Sequence, residues 1–139
     1  MTLKVPIKRN NRLRTTLGRF VVSSNQRPLC IEIAGFTLDY GARDIVIGIV
    51  KHECIHYAFH IMGNPSSDGH PQFESELKKH GAPSTKTTKI GRHFVFICNA
   101  CGKESESRLK QLNRTPHQYR TSCCKSTLSV IGERIYDGT

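Results

Sequence analysis

Two rhythms of apolar and polar positions run along this chain. Gly18-Arg19-Phe20-Val21-Val22 is a short apolar run, and Leu29-Cys30-Ile31-Glu32-Ile33 alternates apolar with polar as a half-buried strand does. Ser24-Asn25-Gln26-Arg27-Pro28 between them has turn chemistry. Thr37-Leu38-Asp39-Tyr40-Gly41 reads as a second turn. The period then changes. Ile45, Val46, Ile49 and Val50 recur at helical spacing, with Asp44 as the candidate N-cap and Gly63-Asn64-Pro65 as the stop. Ser66-Ser67-Asp68-Gly69 lets the chain turn back before a second helical pattern, Pro71 to His80. In it Phe73 and Leu77, four apart, face inward, and Gly81 and Pro83 end it.

Beyond this point the pattern thins. Ser84-Thr85-Lys86-Thr87-Thr88-Lys89 is polar without apolar spacing and reads as a linker. His93-Phe94-Val95-Phe96-Ile97 predicts a strand, Lys103 to Arg120 is basic and polar, and Leu128-Ser129-Val130-Ile131 predicts a closing strand. Strands, two helices and strands again define an α+β chain.

The chemistry concentrates on the longer helix. His52-Glu53-Cys54-Ile55-His56 matches H-E-x-x-H. Residues four apart on a helix share a face, so His52 and His56 can point at one ion. Glu53 lies about 100° round the axis from His52, beside the ion rather than on it. A metal there lowers the pKa of water to about 7, and the carboxylate can take the proton released. Cys54 points away from the two histidines and reads as a small packing residue, as does Cys30.

Two histidines compete to be the third ligand. His60 continues the series but sits about 12 Å along the axis from His52, too far to meet it across metal–nitrogen bonds of about 2 Å. His70 is brought back by the Gly/Pro break and held by the following helix, so it is the better candidate. Asp68, close by, is a candidate partner for one of the ligands. His80 lies near a helix C-terminus, where a cation is favoured, and is assigned no site.

A second metal signature follows. The strand at 93–97 runs into Cys98-Asn99-Ala100-Cys101-Gly102, the form of a zinc knuckle, in which Gly permits the turn that aims both sulfurs at one ion. Cys123 and Cys124 come after 21 or 22 intervening residues, close to zinc-ribbon spacing.

These residues together resemble the SprT-like family. Asn10-Asn11-Arg12-Leu13-Arg14-Thr15-Thr16-Leu17-Gly18-Arg19-Phe20 is similar to the family's entry segment. Ile49-Val50-Lys51-His52-Glu53-Cys54-Ile55-His56-Tyr57 is similar to its motif helix, and His70-Pro71-Gln72-Phe73 to its later H-x-x-F. The resemblance covers roughly residues 8–130. It implies a zincin-like metallopeptidase domain, a small sheet plus the H-E-x-x-H helix, followed by a small zinc-ribbon β domain. Its eukaryotic relatives are proteases that clear proteins crosslinked to DNA. It implies residues 1–83 as the SprT-like zincin domain, 84–92 as linker and 93–139 as the zinc-ribbon-like domain. The ligands implied are His52, His56 and His70 for a catalytic Zn2+, with Glu53 as the base, and Cys98, Cys101 and Cys124 for a structural Zn2+, to which the adjacent Cys123 is read as the candidate fourth ligand.

The chain departs from the family pattern in two places. Where the family's second knuckle shows Y-R-C-x-x-C-K, this chain has Tyr119, Arg120, Cys124 and Lys125, with Thr121 in the first cysteine's place. Either Cys123 supplies the fourth thiolate with altered geometry, or His117 reaches in, or the site is three-coordinate. The helical segment usual ahead of the entry phrase is also missing. Either this member is short, or a partner protein covers that side of the motif helix.

Charge adds a partner class. The 139 residues carry a net +10, unevenly distributed. Residues 1–30 hold seven basic and no acidic residues, residues 31–77 sum to −5, and residues 78–139 sum to +8. Basic segments flanking an acidic centre are the footprint of polyanion binding. Lys8, Arg9, Arg12 and Arg14 at one end, and Arg108, Lys110, Arg114, Arg120 and Lys125 at the other, are the candidates for nucleic-acid phosphates, bound without sequence preference. No apolar run approaches the 18 or so residues of a membrane span, and no secretion signal is read in MTLKVPIKRNNRLR, so no membrane role and a cytoplasmic, nucleoid-associated location are expected. Six cysteines there are read as ligands and free thiols, not disulfides. The function expected is a zinc-dependent endopeptidase acting on protein substrates near nucleic acid. The rival is a non-catalytic zinc-containing DNA- or protein-binding module, or an accessory subunit of a nucleic-acid machine.

Overall fold

The computed structural model of the protein describes residues 2–85 and 87–139; Lys86, within the expected linker, lies outside the described residues. The chain is a mixed α+β structure of two compact units, Met1–Ile90 with Asp137–Thr139, and Gly91–Tyr136.

The first unit is built on a three-stranded sheet of β1 (Ile7–Asn10), β2 (Gly18–Val22) and β3 (Pro28–Ala34), in the order β1-β3-β2. The central strand is the most apolar: Cys30, Ile31, Ile33 and Ala34 are all buried. β2 runs antiparallel to β3, and β1 runs parallel to it. The apolar pattern did not announce β1, because three of its four residues are exposed and two are basic. Backbone pairing and a polar cluster hold it there instead. Glu32 of β3 accepts hydrogen bonds from Arg19 Nε of β2 at 2.6 Å and from Asn10 Nδ2 of β1 at 2.8 Å.

The segment read as a turn at 37–41 is instead a short helix, α1 (Gly35–Tyr40). A tertiary bond decides the difference: the fully buried Thr37 donates through Oγ1 to the Leu17 carbonyl at 2.9 Å. The motif helix, α2 (Arg43–Met62), begins two residues earlier than its apolar pattern, with Ala42 as N-cap. Asp44 therefore sits inside the first turn, where a carboxylate still favours the helix dipole. At the other end Gly63 adopts φ 71°, and its N–H and that of Asn64 close on the His60 and Phe59 carbonyls, a left-handed cap of the kind glycine allows. The next helix, α3 (Pro71–Lys79), starts with Pro at its first position and buries Phe73 and Leu77.

α2 is apolar on two arcs rather than one. Ile49 and Tyr57 pack with Leu17, Ile31, Ile33 and Ile90 against the sheet. Ile55 and Phe59 pack with Phe73 and Leu77 of α3. At about 100° per residue, His52 and His56 fall on the narrow seam between these arcs. The fold therefore presents both histidines along the seam while α2 is clamped on each side.

The second unit is a three-stranded sheet of β4 (Ile90–Cys98), β5 (Glu104–Ser107) and β6 (Leu128–Asp137), ordered β5-β4-β6. The strand expected at 93–97 extends at both ends, and the one expected at 128–131 runs on to Asp137. The basic stretch from Lys103 to Arg120 holds β5, a short helix α4 (Lys110–Arg114) and a 3-10 turn at 116–118, which its composition did not signal. Phe94, Val95, Cys98, Leu112, Thr121 and Leu128 are among its buried residues.

Candidate metal centres

Among the described residues, two groups have donor atoms close enough to hold one ion each. They are His52, Glu53 and His56, and Cys98, Cys101, Cys123 and Cys124, with all ligand atoms of a group within 4.8 Å of one another. The H-E-x-x-H side chains and the four cysteines thus converge in space, while His70 is not in the first group.

In the first group each imidazole is pinned from behind. His52 Nδ1–H donates to the Pro83 carbonyl at 2.8 Å, and His56 Nδ1–H donates to the Ser66 carbonyl. A carbonyl only accepts, so each Nδ1 carries a proton and each Nε2 is turned to the opposite side, the one from which a metal would bind a neutral ring. Gly48 makes the first of these bonds feasible: a Cβ there would lie 2.7 Å from Pro83 Cδ. The rings are also held by packing. Phe73 stacks on His56 at 4.2 Å between centroids and meets His52 edge-on at 5.7 Å. Burial pushes the pKa of His56 down, which further favours the neutral ring.

Glu53 is 3 % exposed, and burial raises its pKa from 4.5 to about 7, against the opposing pull of His52. The Phe20 backbone N–H of β2 also stabilises its charged form. β2 is an edge strand, and together with α2 it lines a cleft of about 600 Å³ that includes Glu53, His56 and Asp68.

The competing histidines are placed as follows. His60 is turned away: its Nε2–H donates to the Gln26 carbonyl at 2.7 Å, and its ring packs against Phe20. His70 forms the N-cap of α3, and its Nδ1 is buried with no hydrogen-bond partner among the described residues. A neighbour that the sequence reading left as a bare candidate lies against both motif histidines. Asp68 Oδ1 lies 3.0 Å from His52 Nε2 and 3.1 Å from His56 Nε2.

The cysteine group solves the missing-ligand problem through its backbone. In the first knuckle the Cys98 N–H donates to the Lys103 carbonyl at 3.0 Å, and the Gly102 N–H to the Cys98 carbonyl at 2.8 Å. In the second, the Thr121 N–H donates to the Ser126 carbonyl at 2.9 Å, and the Lys125 N–H to the Thr121 carbonyl at 2.9 Å. Gly102 has φ 75° and Lys125 φ 54°. The two turns are the same structure, with Thr121 standing where Cys98 stands in the first. Cys123, one position inside the turn, brings its sulfur to 3.7 Å from that of Cys101. His117 is not part of the group.

Thr121 keeps a role at the cluster. Its hydroxyl accepts from the Ser126 N–H at 3.2 Å, which leaves its proton to face Cys98 Sγ at 3.4 Å. That bond, with the Cys101 and Ala100 backbone N–H groups, draws the Cys98 thiol down to about 6, while the neighbouring sulfurs push Cys124 up to about 12. Four thiolates cannot crowd together without a cation, so the donor set fits a thiophilic metal.

The basic residues are placed unevenly. The Arg9 guanidinium forks onto both Asp39 oxygens at 2.8 Å, and Arg120 bends onto the His117 and Tyr119 carbonyls at 2.9 Å. Lys8, Arg12, Arg14, Lys110, Arg114 and Lys125 are exposed, and Arg108 is half-buried. No helix is long and apolar enough to cross a membrane, among the described residues.

The structure thus defines a class: a small α+β protein with a paired-histidine and glutamate centre in one unit and a four-cysteine centre in the other. The comparisons make that class specific. The SprT-like family profile matches residues 2–93. "Protein SprT-like" of Bacillus velezensis is 31% identical over 128 residues, covering 88% of this chain and 80% of that protein. Its counterpart in Bacillus subtilis is 29% identical over 127 residues, with the same coverage, and that of Staphylococcus epidermidis 31% over 129 residues, covering 90% and 81%. No solved structure is a significant match. The chain belongs to the SprT-like family.

Two outcomes are expected. Cys123→Ser loses tight metal binding at the cysteine centre, and adding Thr121→Cys to it restores binding, because position 121 occupies the first cysteine's place; metal per chain after dialysis checks this. In metal-free protein, Glu53 keeps its proton when folded but loses it when unfolded between pH 4.5 and about 7. Its contribution is therefore full below 4.5 and is lost as pH rises through 7, a change on the order of 3 kcal/mol. Glu53→Gln should remove that part of the slope, read as the difference between parent and variant in urea unfolding at pH 5 and pH 8.

Proposed function

We propose that this protein is a zinc-dependent endopeptidase, with a zincin-like first unit and a zinc-ribbon second unit, acting on proteins at or near nucleic acid. The observation that carries the reading is the pair of Nε2 atoms of His52 and His56 turned to one side by their Nδ1 hydrogen bonds, beside a buried carboxylate and an open cleft. His52, His56 and His70 would hold the catalytic zinc; the partnerless buried Nδ1 of His70 is consistent with that imidazole serving a further acceptor role. Zinc bound there supplies a Lewis acid that acidifies water and polarises a carbonyl oxygen.

The chain's own residues supply the rest. β2 is an edge strand bordering the cleft beside Glu53, so an extended peptide can add to it as another strand and lay its backbone along the cleft. Glu53, with a pKa lifted to about 7 before any cation is present, accepts the proton of the attacking water on a carboxylate oxygen. It then carries that proton to the departing amine nitrogen. Pro83 and Ser66 hold both imidazoles in one tautomer throughout. The ribbon, held by Cys98, Cys101, Cys123 and Cys124, would carry a structural zinc.

The nucleic-acid part of the reading rests on charge. Exposed Lys8, Arg12, Arg14, Lys110, Arg114 and Lys125 would meet phosphates, with Arg108 beside them. Arg9 and Arg120 contribute less, because each already has partners. The alternative, a non-catalytic binding module, would need the metal but no base beside it. The buried Glu53 disfavours that alternative: a purely structural site gains nothing from a carboxylate whose ionisation burial opposes.

Glu53→Gln should retain both metals and the fold yet lower cleavage of a DNA-bound protein substrate by at least about a hundredfold, since the amide cannot take a proton. Equal turnover by parent and variant, followed by gel electrophoresis, rules out the catalytic role. Affinity for duplex DNA should fall linearly in log–log terms with salt, at a slope of about −0.9 per phosphate contact. A titration that is flat between 50 and 200 mM salt, conditions chosen as roughly spanning the range where such contacts are lost, counts against the nucleic-acid partner.

A further inference from the structure

The loop between α2 and α3 places a carboxylate where neither motif requires one. Asp68 Oδ1 is nearly equidistant from the two imidazoles, 3.0 Å from His52 Nε2 and 3.1 Å from His56 Nε2. Both Nδ1 atoms carry the ring protons, because each faces a backbone carbonyl. Two ring nitrogens and a carboxylate oxygen therefore meet at one point, at distances that a proton on Nε2 bridges in the metal-free protein. A shared cation would take the place of that proton, with the same three atoms as its ligands. A residue supporting a ligand from behind would meet Nδ1, yet Asp68 meets the Nε2 side, where the ion belongs.

The loop is built to hold that position. The Gly69 N–H donates to Glu74 Oε1 at 2.7 Å, and the His70 N–H donates to the Ser67 carbonyl at 3.2 Å. Ser66 on the other side of Asp68 accepts from His56 itself. Gly69 sits at φ 86°, a left-handed conformation that a side chain would resist. The chain is thus anchored on both sides of Asp68, at Ser66 to a motif histidine and at Gly69 to α3.

We propose that Asp68 is a protein ligand of the ion at the H-E-x-x-H centre, binding through Oδ1 alongside His52 and His56. The inference rests on the reading that this centre binds a divalent metal. One negative charge in the ligand set reduces the net charge of the centre and favours hard, oxygen-accepting ions more than histidines alone would. Glu53 is left free to act as the base. Zinc sites expand from four to five coordination, so an imidazole and a carboxylate from the same loop can both bind.

The test is a competition titration of the full chain with cobalt(II) against a chromophoric chelator. The metal class belonging to this centre is the one lost in His52→Ala. Asp68→Ala should weaken that class by at least about tenfold and leave the cysteine class unchanged. Asp68→Cys should gain a thiolate-to-cobalt charge-transfer band on that same class, which a residue acting only through hydrogen bonds would not produce. Parent affinity in Asp68→Ala, or no new band in Asp68→Cys, overturns the assignment while the metal centre stands. A parent chain with no class lost in His52→Ala overturns the metal reading and this inference with it.

Discussion

Two backbone carbonyls, those of Pro83 and Ser66, govern the centre of this molecule. Each accepts a hydrogen bond from Nδ1 of a motif histidine, and together they turn both imidazoles so that Nε2 faces the same side. Neither carbonyl belongs to the helix that carries the histidines. Pro83 lies beyond α3 and can approach only because residue 48 is glycine; Ser66 lies in the loop before α3. The centre therefore exists only when α2, the loop and α3 are assembled. Phe73 couples these parts further, since one fully buried ring packs on His52, His56 and Phe59 at once. Removing such a ring costs about 3–5 kcal/mol in typical cores, so the packing and the chemistry stand or fall together.

The placement of the motif on α2 follows from the same economy. A helix clamped between a sheet and another helix has two apolar arcs and little room for polar groups. The seam between the arcs is where a buried imidazole and a half-buried one can still reach an ion and a cleft. Glu53 falls on the sheet side of that seam, under the edge of β2, where burial raises its pKa and a strand N–H steadies its charge. The same edge strand thus borders both the carboxylate and the space a peptide backbone would fill.

The second unit shows how a metal cluster can survive the loss of a ligand from its usual place. The two knuckles keep matching backbone bonds although one begins with cysteine and the other with threonine. The turn conformation depends on backbone donors and acceptors and on one left-handed residue, none of which is a sulfur. The fourth sulfur can then come from a different position in the turn, and the threonine hydroxyl remains useful as a donor to Cys98. Lys125 in the left-handed region is tolerated at a cost of about 1–2 kcal/mol, where the first knuckle has glycine.

Much of this was legible in the residues alone. Periodicity identified α2, α3, β2, β3 and the cores of β4 and β6, because each has a face whose burial dictates its spacing. H-E-x-x-H and C-x-x-C-G were legible because local geometry alone puts their side chains together. What the tertiary structure decided depends on partners distant in sequence. β1 is too polar to be recognised by pattern and is held by pairing to β3. α1 reads as a turn until Thr37 finds Leu17. The equivalence of Thr121 with Cys98 lies in backbone bonds that no side chain reveals. Asp68 is one more polar loop residue until the loop closes and sets its oxygen between two imidazoles. Sequence spacing records contacts within one element; it carries no record of which carbonyl or carboxylate another element will bring within 3 Å.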